Sequence, residues 1–591
     1  MKLKYIISTA ILLAGIFSCD VTDLTPLDSL TDESYWNKPE DLKLYATRLY
    51  TDFVKPSVKL DERSDNCLTT NYNDYLFNEK NIPTNSDDGK EDDQEDKEIW
   101  SWKKIRACNF FMTRYKQVPG DDSEINPYVA EVRFFRALDY FKKIKKYGDV
   151  PYYDKDLQTN DTELLYKARD SRDFVLGKII EDLEFAIEWL PEPSKAEEGR
   201  LHKYVAMTQL ARVCLHEGTF RKYHNVSSGT FSSEELLKKA ATMAEAIMSS
   251  GLYDIVKGDN AGCGQMPFDN YPLYYSNQFI QESLVGNREC ILPRIYIVDL
   301  FMHQTGRQAG EAGIGYSKDF IESFLCKDGK PIAVSSLYQG DETLEQEIMN
   351  RDPRLYQIID NKNKPYLVMN GTRQVNPYSN VSPSGAVTGY QMVKFKSPLQ
   401  AQAEARKTTY DWFLYRYAEV LLIFAEAKAE LGECTQDVLD RTINLLRDRV
   451  EMSHLTVSPE VDANAVNYGY TISPLLYEIR RERRIELADE GFRWDDIVRW
   501  KAGKLLENPK TFLGMRVTPE VAALYPTGTF YGENGVQTVN YNGKDLIRPY
   551  AGKGLDDTGR KWTANDKRYL EPIPLEELTL NSNLTQNPGW E

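Results

Sequence analysis

Apolar residues recur at every third or fourth position over most of the chain beyond residue 40, the spacing that gathers them on one face of an α-helix. In Tyr128–Tyr147 the series Val129, Val132, Phe135, Leu138, Phe141, Ile144 and Tyr147 forms a slowly drifting stripe. Lys142, Lys143, Lys145 and Lys146 crowd its last turns, where the helix dipole favours cations, and Gly148 ends it. Similar patterns predict helices over 39–54, 99–117, 172–190, 203–216, 233–249, 316–325, 412–431, 437–450 and 474–491. They follow one another in consecutive pairs.

Small residues alternate with leucines on single faces: Ala418, Leu421, Leu422, Ala425 and Ala429, then Ala206, Leu210, Ala211 and Leu215, then Ala240, Ala244 and Ile247. Such faces let neighbouring helices approach closely, and the texture resembles tetratricopeptide helix pairs without a strict 34-residue period. The fold class expected is therefore mostly α, a tetratricopeptide-like scaffold of helix pairs, while length alone allows roughly three or four ordinary domains or one extended repeat assembly. Four irregular stretches interrupt the helices, near 59–98, 251–315, 328–410 and 507–560, rich in Gly, Asn, Pro and Tyr. Loops of that length are functional or disordered rather than plain connectors.

The amino terminus reads differently. Lys2 and Lys4 precede an apolar run from Tyr5 to Phe17 that is too short to span a bilayer, so 1–18 reads as an export signal. Ala14-Gly15-Ile16-Phe17-Ser18-Cys19 resembles a bacterial lipobox, which would make Cys19 the lipidated first residue and 19–39 a tether. Composition narrows the partners. The chain of 591 residues carries a net charge of −17, and removal of the signal takes two lysines and no acid, leaving −19. A surface that acidic repels a phosphate backbone, so nucleic acid is excluded as a partner. Seven cysteines remain at wide spacings with no CxxC, which indicates neither a metal knuckle nor a disulfide framework.

A search for catalytic chemistry returns little. The five histidines have no metal-ligand spacing, and His216-Glu217 starts like HExxH but meets Phe220 where the second His belongs. Gly315-Tyr-Ser-Lys-Asp319 lacks the final Gly of a nucleophile elbow, and Gly262-Cys-Gly264 lacks the third Gly of a dinucleotide loop. The acidic run from Asp87 to Asp96 misses the alternation of an EF-hand. Neither a cofactor nor a metal is expected. The charged segment Glu478–Glu490 reads as structural, with Glu478 and Arg481, Arg483 and Glu486, and Asp489 and Arg493 spaced to pair on one helix.

Several stretches taken together resemble the SusD/RagB family of surface nutrient-binding lipoproteins. They are Trp102-Lys-Lys-Ile-Arg-Ala-Cys-Asn109, Glu131-Val-Arg-Phe-Phe-Arg-Ala-Leu138 running to Tyr147-Gly-Asp-Val-Pro151, and Asn350-Arg-Asp-Pro-Arg-Leu355. Further along come Leu414-Tyr-Arg-Tyr-Ala-Glu-Val-Leu-Leu422, Glu482-Arg-Arg-Ile-Glu486 with Glu490-Gly-Phe-Arg-Trp-Asp495, and Tyr569-Leu-Glu-Pro-Ile-Pro574 ending in Gln586-Asn-Pro-Gly-Trp590. Each motif alone is weak; six in order behind a lipobox are specific. The resemblance implies a single mostly α-helical domain over 40–591 whose long loops form a ligand face, in a noncatalytic protein at the outer membrane that captures oligosaccharides, or in some members peptides, for a SusC-like TonB-dependent transporter. A surface glycoside hydrolase and a tetratricopeptide-type protein scaffold are the readings from other classes.

Sugars present apolar C–H faces and hydroxyl rims, so a glycan site needs flat rings beside carboxylates, amides or guanidinium groups. Asp65, Asn66, Tyr72, Asn73 and Trp100 satisfy that description in the first loop, with Trp100 the leading stacking candidate and a loop-stapling role as its structural alternative. The second loop contributes Tyr274, Tyr275, Tyr296 and Arg307, and the third Arg373.

Overall fold

The computed structural model describes residues 35–86, 100–257 and 275–591, apart from 371, 377, 383, 531–534 and 557–558. The expected signal, Cys19, most of the tether, Tyr274 and the acidic run 87–96 lie outside the described residues.

Amphipathic stripes become helices packed in chain order. Lys103–Arg114 lies on Asp122–Tyr147, which lies on Arg172–Trp189; then come Lys203–His224 and Ser233–Ser249, each against its predecessor. The next layer is not the next segment. Ser233–Ser249 packs against Tyr417–Glu430, and that helix against Pro474–Glu486, so 250–416 is looped out between two scaffold neighbours. Contacts between adjacent layers are the packing logic of helical repeats. Among the described residues no helix is long and apolar enough to cross a membrane.

Local chemistry sets the boundaries. The 26-residue helix Asp122–Tyr147 opens on a capping box, Asp121 with Glu124, and runs through Pro127, six residues earlier than its apolar stripe indicates. Lys203–His224 continues eight residues past the predicted end and carries Gly218 inside it. A Cβ there would stand 2.9 Å from Leu237 Cγ, so the missing side chain is what lets Ser233–Ser249 approach. Three predicted helices are corrected. Trp412–Arg416 is a strand, paired antiparallel with Cys290–Arg294, and the helix begins only at Tyr417. Ile314–Tyr316 pairs with Cys67–Thr69, after which Ser317 caps the short helix Lys318–Ser323. The 437–450 segment splits at Thr442 into Gln436–Asp440 and Ile443–Arg449.

Among the described residues four apolar clusters result, two of them large. One lies beneath the scaffold helices. The other, built on Tyr275, Phe279, Tyr316, Phe320, Tyr390, Phe395 and Trp412, gives the long irregular stretches a core of their own. A buried ionic network ties the two together. Glu486 is bonded by Arg449 at 2.6 Å, Arg416 at 2.8 Å and Arg354 at 2.9 Å; Glu482 takes Arg354 at 2.6 Å and Arg447 at 2.9 Å. Arg416 also reaches Glu490 at 2.7 Å, which Lys394 meets at 2.8 Å. Burial would raise the Glu486 carboxyl, but Arg449, Arg416 and Arg354 hold it well below the usual range.

The charged segment is therefore structural, with partners other than those its spacing suggests. Glu478 and Arg481 do meet, at 3.3 Å, but Arg483 turns to Asp496 at 2.9 Å and Arg493 to Asp65 at 2.7 Å. The described cysteines are all free thiols.

Candidate functional site

The Cys67–Thr69 strand fixes the first loop against Ile314–Tyr316, and the pairing extends one residue further, where Thr70 N–H donates to the Gly313 carbonyl at 2.9 Å. Beyond it the chain folds over its own side chains: Thr69 Oγ1 donates to Asn71 O at 2.8 Å, and Asn73 Oδ1 accepts from Tyr75 N at 3.1 Å. Tyr75 then anchors the far side, its ring packed inward and its hydroxyl donating to Arg568 O at 2.9 Å. Tyr550 OH reaches back to Thr69 O at 2.8 Å. What remains on top is a crest, Thr69 to Asp74, held on a rigid base.

This crest, with Lys59, Glu62 and Ala312, encloses an open depression of about 430 Å³. Its walls offer hydroxyls from Thr69 and Thr70, amides from Asn71 and Asn73, carboxylates from Glu62 and Asp74, and one ammonium. Its one aromatic ring is Tyr72, 41% exposed. That ring is held edge-on by Phe77 at 5.4 Å and Tyr550 at 6.0 Å, and Lys553 Nζ stands 3.8 Å from its centroid. Lys553 in turn bonds Glu79 at 2.5 Å, a hydrogen bond that holds the Glu79 carboxyl below its ordinary range. A partly exposed ring beside many hydrogen-bonding groups can cover an apolar ligand face and bond its polar edge in one place.

Of the residues singled out from sequence, Tyr72 and Asn73 converge here. Arg307 does not line the depression; it lies on the short helix Thr305–Gln308, its Nε 3.3 Å from Glu311 and its side chain 53% exposed. Arg373 is placed on a two-stranded ribbon, opposite Val368.

Four others are corrected. Asp65 is buried in a bidentate pair with Arg493, at 2.7 and 2.8 Å, and Asn66 donates from the interior to Asp61 at 2.8 Å. Tyr275 is fully enclosed, its hydroxyl donating to Glu486 O at 2.5 Å and accepting from Lys394 at 2.8 Å. Tyr296 is stacked on Phe301 at 4.7 Å and buried against His303. None of these four has surface to give a ligand, because each carries polar atoms or ring area that the interior already uses. Trp100, 4% exposed, stands edge-on to Tyr147 at 4.9 Å and to Trp102 at 5.6 Å, which is the stapling role. It lines a different recess of about 370 Å³, with Trp102 and Tyr153, that shares no residue with the Tyr72 depression.

Sequence reasoning passed over Thr69, Thr70, Asp74, Lys59 and Glu62 as members of the wall. The run Asn71-Tyr-Asn-Asp74, polar around one ring, was the available signal; Lys553, nearly five hundred residues away, left none. Among the described residues no cluster of His, Cys, Asp and Glu could hold a metal ion.

Comparison with known proteins agrees with the architecture. A family model described as "Starch-binding associating with outer membrane" matches residues 33–215, and the SusD family model matches 265–590. A SusD-like protein, P2, of Formosa agariphila is 24% identical over 99% of this chain and 100% of its own length. Two solved Bacteroides fragilis proteins share the fold. A SusD-like protein superposes with a TM-score of 0.68 at 23% identity, covering 95% of this chain and 99% of that one. A SusD-like carbohydrate-binding protein gives 0.67 at 22% identity, covering 93% and 100%. With a family model spanning more than half of the chain, and a mostly helical fold shared end to end, this protein belongs to the SusD family.

Proposed function

We propose that this protein captures oligosaccharides at the Tyr72 depression, without cleaving them, and delivers them to a SusC-like TonB-dependent transporter while held to the outer membrane by lipid on Cys19. The observation that carries the reading is the composition of the depression: one exposed ring set among hydroxyl, amide and carboxylate groups on a backbone braced by sheet pairing. A pyranose laid on Tyr72 would lose the hydration of one C–H face and meet the Thr, Asn and Asp groups at its hydroxyl rim. The family supports glycan as the ligand class, since one fold neighbour is described as carbohydrate-binding and one matching family model as starch-binding.

Calorimetric titration of a panel of neutral oligosaccharides tests it. Tyr72→Ala is expected to weaken binding of the preferred glycan at least tenfold, about 1.4 kcal/mol, with the thermal midpoint little changed. Unchanged affinity would remove the depression as the site.

A further inference from the structure

The lysine-rich end of the Asp122–Tyr147 helix borders a second recess, of about 120 Å³, well away in composition from the Tyr72 depression. At that size it is too small for a sugar chain, since small-molecule sites run to roughly 300–1,000 Å³. Its wall is cationic in a protein of net charge −17: Lys142, Lys145, Lys146, Arg63 and Arg568 face two carboxylates, Asp495 and Glu571.

Two buried polar atoms of this wall have no partner. His216, 4% exposed, gives Nδ1 to Glu217 Oε1 at 3.0 Å and leaves Nε2 unbonded. Arg63 spends Nη1 on Glu571 at 2.6 Å and lies flat on Tyr75, 3.6 Å from the ring centroid, yet its Nε–H is likewise unbonded. Unmet donors and acceptors in the interior cost free energy, and an ion that supplies the missing partner removes that cost.

We propose that this recess binds a small oxyanion, sulfate or phosphate, either free or as a substituent on a sugar. Arg63 Nε–H and a protonated His216 Nε2–H would donate to it, and Lys145 and Lys146 would offset its charge. Protonation matters because Glu217 holds the hydrogen on Nδ1, so the neutral ring presents Nε2 as an acceptor. Burial keeps His216 neutral, against Glu217; Asp495 and the Lys145 bound to it face the ring from two other helices, Arg172 reaches Glu217 from a third, and His224 lies about two turns beyond on its own helix. An oxyanion at Nε2 reverses that balance, so binding should take up a proton and tighten as pH falls.

Calorimetry on the full chain with sodium sulfate, whose charge is constant over the range, is the test. Affinity is expected to rise at least fivefold from pH 8 to pH 6, to fall at least fivefold in His216→Gln with the pH dependence gone, and to fall in Lys146→Gln, an exposed position that leaves folding intact. Parallel titrations with phosphate and glucose 6-phosphate separate the sources: tighter phosphate marks a free anion, tighter sugar phosphate a substituent. Absence of sulfate binding, or the same affinity and pH profile in both variants, would overturn the proposal.

Discussion

Tyr72 and Trp100 show what decides a ring's role. Both sit in the first irregular stretch beside polar residues, and Trp is the better stacking surface. Trp100 is nevertheless shut in beside Tyr147 and Trp102 and only 4% exposed, whereas Tyr72, with Lys553 over its ring, stays 41% exposed and keeps area for a ligand. Trp100→Ala is accordingly expected to leave glycan affinity within twofold and to lower unfolding free energy by about 3–5 kcal/mol, the range for emptying a buried aromatic site, read from a denaturant midpoint. A second single-residue case is Asp489. Burial, then the neighbouring Asp61 carboxylate, pushes its pKa up to about 8 from an ordinary 3.8, and its backbone φ of 64° suits asparagine as well as aspartate. A group protonated in the folded state and ionised in the unfolded one stabilises fully below pH 4 and loses that contribution as pH rises toward 8. The thermal midpoint should therefore drop between pH 5 and 8, and drop less in Asp489→Asn; equal slopes would exclude Asp489 as the source.

Elements were legible where one face alone is buried. The helices 172–190 and 233–249 match their predicted bounds within a residue because a 3.6-residue apolar period has one structural solution. Trp412–Arg416 did not, since a five-residue run of large side chains fits a strand or a helix equally, and its partner strand Cys290–Arg294 lies more than a hundred residues upstream. Charge pairing failed for a related reason. Neighbours three or four apart satisfy surface charges, but a buried guanidinium needs several acceptors, and Arg416 and Arg493 find theirs on distant segments. The family motifs meet in this network, Arg354, Arg416, Glu482, Glu486 and Glu490 among them, which explains why they identify the fold without locating the ligand. Glu486→Gln, which removes one buried charge while three arginines remain, should cost about 3–5 kcal/mol in chemical denaturation. Gly218→Val, which drives a branched side chain into Leu237, should cost about 1–3 kcal/mol.

At the scale of the molecule, the scaffold and the 250–416 excursion divide the work. Stacked helices and the ionic network fix the base, and the excursion, pinned by Ile314–Tyr316 to the first loop, completes the wall at Ala312. The candidate site was therefore half visible in the sequence: the crest is contiguous, but the residues that brace and border it come from positions 312, 550 and 553. The most direct test of capture without cleavage is calorimetric titration of the full chain with the oligosaccharide panel, run beside an assay for newly formed reducing ends. Saturable binding of at least one glycan, lost in Tyr72→Ala and with no reducing ends released, is the predicted result. Release of reducing ends by the purified chain, or binding of peptides and no glycan, would contradict it.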